Sequence, residues 1–396
     1  MKYDMVKLKE LCTVNQGLQI PISKRYKEPG ENRFFYITVQ FLKESGENYY
    51  IKNPPKSVIC TEDEILVVRT GNTGQVITGV AGCFHNNFFK VTPNEKVFSR
   101  YLYYALNNKK MHDAMLNAAS GTTIPDLKHS SFYNLEIPLP SIDTQKKISK
   151  ILDNICNKLT LNNKINNNLY ELTNRLFEEK VLNNQDKGSW NEYELSDISK
   201  VINGYSYKGS ELIDKSDIGM TTIKNFNRTG GFKLDGFKDI IPKKCKIDHY
   251  VKPFEVLVAC TDLTQNADII GNAIMLLNNS DYKEVIMSMD LVKLVPTTEF
   301  VNNFMLYAIV NSKDFKDFAL GYKSGTTVLH LNKNCFKEYT IKLPSEDLLA
   351  DLSKVIEINY KKISQIIEEN KKLEQLKDTL LPKLMNGEIA LNSIDI

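Results

Sequence analysis

A 21-residue stretch occurs twice in this 396-residue chain, and it limits the fold more than any other feature. Residues 120–140 read SGTTIPDLKHSSFYNLEIPLP and residues 324–344 read SGTTVLHLNKNCFKEYTIKLP, aligned without a gap at an offset of 204. Nine of the 21 positions are identical: Ser120/Ser324, Gly121/Gly325, Thr122/Thr326, Thr123/Thr327, Leu127/Leu331, Phe132/Phe336, Ile137/Ile341, Leu139/Leu343 and Pro140/Pro344. Each copy runs straight into a long, charged, heptad-like stretch. A duplication of this kind implies two copies of one structural unit.

Weaker matches fall in the same order around the strong one. VKLKELCTVNQGLQIP (6–21) and YELSDISKVINGYSYK (193–208) share Leu8/Leu195, Val14/Val201 and Gly17/Gly204 at offset 187. They read as a short helix, a small strand and a glycine turn. FFYITVQFL (34–42) is β-branched and aromatic and predicts a strand. EILVVRTG (64–71) and EVLVACTD (255–262) match at offset 191 as apolar runs suited to buried strands. The offset therefore grows along the chain. The halves share a frame while their loops differ in length, with most extra material at 209–248 and 262–290. The spacings in 99–115 and 302–319 predict at least one helix before each SGTT copy.

After Pro140 the texture changes. Residues 141–182 hold no Gly or Pro, and Ile148, Leu152, Ile155 and Leu159 step by 4, 3 and 4. Ile165, Leu169, Leu172 and Leu176 repeat those steps after a break of six. The asparagines between them (Asn162, Asn163, Asn166, Asn167, Asn168) predict a solvated helix face. The second copy, 345–381, carries Leu352, Val355, Ile363, Ile366, Leu373 and Leu380 with polar interruptions at Asn359, Asn370 and Lys377. Pro382 and Gly387 are expected to end it. A helix of about 40 residues spans about 60 Å, too long for one small domain, so the two are expected to pair with each other. The competing reading is that each packs on its own domain.

The expected class is α+β: two similar mixed α/β domains separated by two long helices that form an antiparallel coiled coil, with a pseudo-two-fold axis. The expected boundaries are 1–140 for the first domain, 141–182 for the first long helix and 183–190 for a linker. The second domain follows at 191–344, the second helix at 345–381 and a tail at 382–396. Two equivalent domains at the ends of a rod suit a partner with recurring sites, such as double-stranded DNA.

The charge balance names no partner. The net charge is +3, distributed as +4 over 1–140, +2 over 141–185, 0 over 186–344 and −3 over 345–396. DNA binding must then come from a shaped surface or be shared with a more basic partner. Seven scattered cysteines argue against a disulfide framework and for a reducing cytoplasm. The opening MKYDMVKLKE lacks the apolar run of a signal peptide, and no window approaches 18 consecutive apolar residues. Tests for catalytic chemistry come back negative. NPPK (53–56) has Lys56 where an amino-methyltransferase loop stacks an aromatic ring on the target base. GNTG (71–74) lacks the ending of a phosphate loop. The five histidines are dispersed, and no metal site is expected.

The order of a strand-rich domain, GTT…F…I-x-LP and then QKKISKILD (145–153) resembles the specificity subunits of type I restriction-modification systems. IPLPSIDTQKKI (137–148) is similar to that family's junction between domain and helix. LLPKLMNGEIAL (380–391) is similar to its characteristic ending. The resemblance covers essentially the whole chain, although IKLPSEDLLADL (341–352) lacks the Gln-Lys-Lys.

What the resemblance implies is a non-catalytic subunit that reads a split DNA target through two target-recognition domains. It would bind two methyltransferase subunits and two restriction subunits, with S-adenosylmethionine, ATP and Mg held by those partners and no cofactor in this chain. Partner contacts would fall at Gln145, Lys146 and Lys147. The chemistry of base and phosphate contacts then selects Lys24, Arg25, Arg33, Arg69, Asn72 and Thr73 in the first domain. In the second it selects Tyr205, Lys208, Lys224, Asn227, Arg228 and Lys323. Ser120, Gly121, Thr122 and Thr123, with Ser324, Gly325, Thr326 and Thr327, are expected to be structural, because a shared sequence cannot read different targets. Two other readings remain: a catalytic methyltransferase or nuclease with fused recognition domains, and a coiled-coil scaffold.

Overall fold

The structure is a computed structural model that describes residues 3–42, 47–120, 125–228, 230–262, 267–326, 328–389 and 391. The chain divides into two compact units, one formed by 1–158 with 373–396 and the other by 159–372. Both divisions fall inside long helices rather than at Pro140 and Pro344.

The two units repeat one arrangement of strands. In the first, Cys12–Gln16, Phe88–Pro93, Ile65–Val68 and Val76–Ile77 lie side by side in an antiparallel sheet. Ser199–Asn203, Leu291–Pro296, Val256–Ala259 and Ala273–Met275 form the same sheet in the second. A second layer also recurs. Arg33–Ile37 pairs parallel with Gly82–Phe84 and antiparallel with Tyr50–Lys52. Ile218–Thr221 pairs parallel with Glu284–Met287 and antiparallel with Lys238–Asp239. The early strand of each half closes on the SGTT junction, Val6 opposite Ile137 and Tyr193 opposite Ile341.

Burial explains the continuous apolar runs. Ile65 and Val67 face a core that includes Leu102 and Phe132, while Leu66 and Val68 face another that includes Tyr36 and Phe84. Val256 and Val258 alternate with Leu257 and Ala259 in the same way. A strand covered on both faces has no polar side to display. The matched glycines also have a physical cause: a Cβ at Gly17 would lie 2.2 Å from the His85 carbonyl oxygen, and one at Gly204 would lie 1.9 Å from that of Ser288. Only a residue without a side chain lets the backbone pass there.

An ion pair is duplicated as well, half-buried in the first unit and more deeply set in the second. Lys90 Nζ lies 2.8 Å from Glu64 Oε1 and donates to the Ile59 carbonyl at 3.0 Å, while Glu64 Oε2 accepts from Thr61 N–H. In the second unit Lys293 Nζ lies 3.0 Å from Glu255 Oε2 and donates to the Tyr250 carbonyl at 2.7 Å. That Glu255 oxygen also accepts from Lys252 N–H.

Several expectations need correcting. Residues 99–115 and 302–319, expected to hold at least one helix each, divide into two, Ser99–Leu106 with Lys109–Ala118 and Asn303–Val310 with Lys313–Leu320. Asn108 and Ser312 accept from main-chain N–H groups of Met111 and Phe315 and so start new helices there. The strand expected over 34–42 ends at Ile37, and Val39–Leu42 turns helical. The second long helix runs Glu346–Met385 and passes through Pro382. Leu381, Leu384 and Met385 are buried in the first unit's core, and that packing carries the last turn past the proline.

The first long helix runs Ile142–Phe177 and continues as a wider turn over Glu178–Leu182. Its beginning packs on its own domain, because Ile148 and Leu152 sit in that core. Ile155 is buried on the same stripe. Within the second unit the helix pairs antiparallel with its counterpart. Asn162 donates to Asn370 Oδ1, and Asn359 donates to Thr173 Oγ1. The first helix has advanced eleven residues while its partner retreats eleven.

The seam does not break after Leu159. It continues through Asn162, Asn166, Leu169, Thr173 and Phe177, with Asn162 1% and Asn166 8% exposed. Leu172 is 48% exposed and Ile165 only half-buried, so the step of six that reached them misplaced the stripe. On the second helix Val355 is 42% exposed, and Ile356 with Tyr360 carries the buried line between Leu352 and Ile363. Ile366 is buried, while Leu169, Leu176, Leu373 and Leu380 are half-buried.

Asn162 also donates to Glu369 Oε2, and Asn370 donates in turn to Asn163 Oδ1. Replacing Asn162 by Leu removes the donor that serves Glu369 and Asn370, at a cost of roughly 1–3 kcal/mol. The double change with Asn370→Leu recovers most of that loss in denaturant unfolding. Glu255→Ala, which strands the Lys293 ammonium, costs about 3–5 kcal/mol in the same measurement.

Candidate nucleic-acid interface

Extended loops bring the first domain's basic residues to its surface. Lys24 ends the short 3₁₀ turn Ile22–Lys24 and is exposed. Arg25 is engaged internally: its Nε donates to the Ile20 carbonyl, and its guanidinium lies 5.0 Å from the Tyr36 ring centre and 5.4 Å from that of Tyr49. Arg33 stacks 3.8 Å over Tyr26 and donates to the Glu28 carbonyl. Stacking removes some freedom from both side chains yet leaves further N–H groups for a ligand.

Arg69, Thr73 and Ser120 converge on one place, and its chemistry is internal. Arg69 grips Asp126 with Nε at 2.6 Å and Nη2 at 2.8 Å. The guanidinium holds the Asp126 carboxyl below the usual range. Thr73 is buried and donates to the Arg69 and Pro125 carbonyls. Asp126 bridges Thr70 on one side and Ser120 on the other. The second domain builds the same three-part bridge from Thr261, His330 and Ser324. There Cys260 and His330 stand where Arg69 and Asp126 stand in the first. Arg69 and Thr73 thus brace the junction, and Arg69 keeps 31% of its side chain exposed. Asn72 is exposed and donates to Gln75. Gly121, Thr122, Thr123 and Thr327 lie outside the described residues, whereas Ser324, Gly325 and Thr326 are exposed, as is Lys323.

In the second domain Tyr205 is 4% exposed and cannot present its ring to a base. Its hydroxyl donates to Glu211 Oε1 at 2.5 Å and accepts from Lys243 and Lys244 N–H. Glu211 accepts from Lys243 N–H at 2.7 Å and from Lys208 N–H at 2.6 Å. Three lysines are held by their main chains around one buried carboxylate and phenol, while their side chains are exposed. Lys243 and Lys244 lie outside the residues that the contact chemistry selects from sequence, although PKKCK (242–246) is a dense basic run. A second built turn carries Lys224, Asn227 and Arg228. The buried Asn225 accepts from Thr222 N–H and donates to the Lys233 carbonyl, and the Phe226–Phe232 bridge closes the tip. Lys224, Asn227 and Arg228 are exposed on it.

The Gln145–Lys147 segment is divided between the interior and the surface. Gln145 is fully buried: Oε1 accepts from Phe98 N–H, and Nε2 donates to the Lys96 and Pro140 carbonyls. It ties a helix start to the junction and offers a partner nothing. Leu349 fills the equivalent position of the second junction and is also buried. Lys147 donates to the Leu391 carbonyl, and Lys146 is exposed. Among the described residues no cluster of His, Cys, Asp or Glu could hold a metal, and no helix is long and apolar enough to cross a membrane.

The profile of the Type I restriction modification DNA specificity domain matches residues 1–171 and again 187–378. The chain belongs to that family. It is 24% identical over 388 residues to the type I restriction enzyme MjaVIII specificity subunit of Methanocaldococcus jannaschii, covering 92% of this chain and 88% of that one. It is 22% identical to the HindI specificity subunit of Haemophilus influenzae, covering 76% and 80%. The fold is similar to the crystal structure of the type I restriction-modification S subunit from M. genitalium, with a TM-score of 0.64, 17% identity and coverage of 97% and 96%.

Hydrogen bonds hold the Glu211 carboxyl down to about 2. A lowered carboxyl contributes stability above its ordinary value of 4.5, and that contribution is lost as pH falls from about 4.5 towards 2. Glu211→Gln should lower the melting temperature at pH 7 by several degrees. Thermal unfolding between pH 7 and 3 should also show a shallower acid loss in the variant than in the parent.

Proposed function

We propose that this chain is the DNA-reading, non-catalytic subunit of a type I restriction-modification complex. Each of its two domains reads one half of a split target, and the chain recruits the methyltransferase and restriction subunits. The observation that carries the reading is the family match falling twice, over the two copies of one frame. Residues shared by both copies, such as the bridge at Ser120 and Ser324, hold the frame. Unmatched turns, such as Lys224–Arg228, vary the reading. Two methyltransferase subunits and two restriction subunits per chain agree with two similar domains. S-adenosylmethionine, ATP and Mg belong to those partners, and the assembly acts in the compartment that holds the DNA, the cytoplasm.

Base contact falls to the exposed Asn72, Asn227 and Arg228, and phosphate contact to Lys24, Lys208, Lys224 and Lys323. Arg25 and Arg33 contribute the N–H groups their internal contacts leave over. Arg and Asn are the side chains that make paired hydrogen bonds to guanine and adenine edges, each worth about 1–3 kcal/mol of discrimination.

Long-read mapping of methylated adenines in a host carrying the complete system tests the proposal. The expected map is a single two-part motif with a fixed spacer. Replacing Asn227 and Arg228 by Ala should relax one half of that motif and leave the other half and the spacer unchanged. A continuous motif, or methyl transfer by this chain alone, overturns the reading.

A further inference from the structure

We infer that Lys208, Lys243, Lys244 and Lys246 form a built phosphate-binding surface of the second domain, for the sugar-phosphate backbone of the DNA whose bases the neighbouring turn reads. The inference rests on the proposed function and adds a surface that the sequence motifs did not mark. Lys208 and Lys243 are more than 30 residues apart in the chain, yet their main-chain N–H groups bond to the two oxygens of one carboxylate, Glu211. The Tyr205 hydroxyl shares the Lys243 N–H with Glu211 and also accepts from Lys244 N–H. Lys246 follows on the turn Ile247–His249, which its N–H joins by bonding to His249 Nδ1.

Three features separate this cluster from an ordinary solvated face. The latch is buried, with Tyr205 and Glu211 each 4% exposed, so the convergence is fixed by the interior. The negative charge of Glu211 is taken up chiefly by N–H groups and a phenol, with the Lys243 charge adding a smaller share, and among the described residues no salt bridge joins these four ammonium groups to a carboxylate. Asp248, on the next turn, is the exposed acid closest in sequence. Finally, residues 186–344 carry no net charge, so the concentration of positive charge here is local. Holding like charges together opposes folding unless an anionic partner meets them. A phosphate chain, with regularly spaced negative oxygens, is that partner.

The flanks agree with docking on a large surface. Ile241 and Ile247 protrude beside the lysines, with Ile247 83% exposed. Lys238 adds a fifth ammonium group against the Tyr207 hydroxyl at 3.2 Å.

The test uses the chain assembled with its methyltransferase subunits, and DNA duplexes with and without the mapped motif. Binding is measured from 50 to 200 mM salt. The variant Lys243→Gln/Lys244→Gln/Lys246→Gln should weaken binding to both duplexes alike, and its log–log salt slope should be shallower by about 2–3, near 0.9 for each lost contact. Its methylation motif should not change. Glu211→Gln, which removes no ammonium group, should weaken binding in the same direction. Equal affinity and slope in the triple variant and parent, with an unchanged melting temperature, overturn the inference. Parent-like affinity in Glu211→Gln overturns the positioning role of the latch. A parent complex with no preference for a split target instead overturns the proposed function, and the two failures are thereby told apart.

Discussion

The ion-paired lysine on an inner strand of each main sheet is the constraint around which both domains are arranged. Lys90 and Lys293 sit in Phe88–Pro93 and Leu291–Pro296, strands that pair on both sides and have little solvent to offer an ammonium group. Each therefore requires a carboxylate and a carbonyl delivered from the segment that precedes the next strand. Glu64 and Ile59 supply them once, Glu255 and Tyr250 the other time. That demand fixes where the segment runs, and the segment leads into the fully buried strands Ile65–Val68 and Val256–Ala259. A bare apolar contact would tolerate sliding, whereas a buried charge with two named partners does not. Loops elsewhere then differ in length and composition without moving the sheet.

Much of this was legible in the chain. The SGTT junction could be aligned because two strands, a bridge and a helix start meet there, and each constrains particular positions. Gly17 and Gly204 matched because the backbone of another segment occupies the place of a side chain. The paired lysines carry no such mark, although FFKVTP and LVKLVP align at offset 203, because a lysine in a strand reads as a solvated face. Chemistry that depends on a partner far along the chain, such as Arg69 with Asp126, leaves no local pattern at all.

The helix seam failed to read for a different reason. Periodicity methods follow apolar residues, and here the stripe passes through Asn162, Asn166 and Thr173. A polar seam of that kind gives up some hydrophobic stabilisation and gains directionality, since each amide accepts only a few partner positions. Asn162 with Asn370 and Thr173 with Asn359 are satisfied together in one register of the pair. Shifting either helix by a turn would leave those groups without partners. Tyr360, which packs edge-on against both Tyr170 and Tyr307, anchors the same register to the second domain's core.

The composition of the first unit has a consequence in time. Its core holds Leu8, Leu102 and Ile148 together with Leu381, Leu384, Met385 and Leu391, whereas every residue of the second unit lies between. During synthesis the first unit is therefore made early but left open on one side. At ordinary elongation rates the residues between Lys158 and Leu381 take on the order of 10–50 s to appear. The second unit, continuous in sequence, can close its core inside that interval. Apolar surface on the older half meanwhile waits for the segment from Leu381 to Leu391 to emerge.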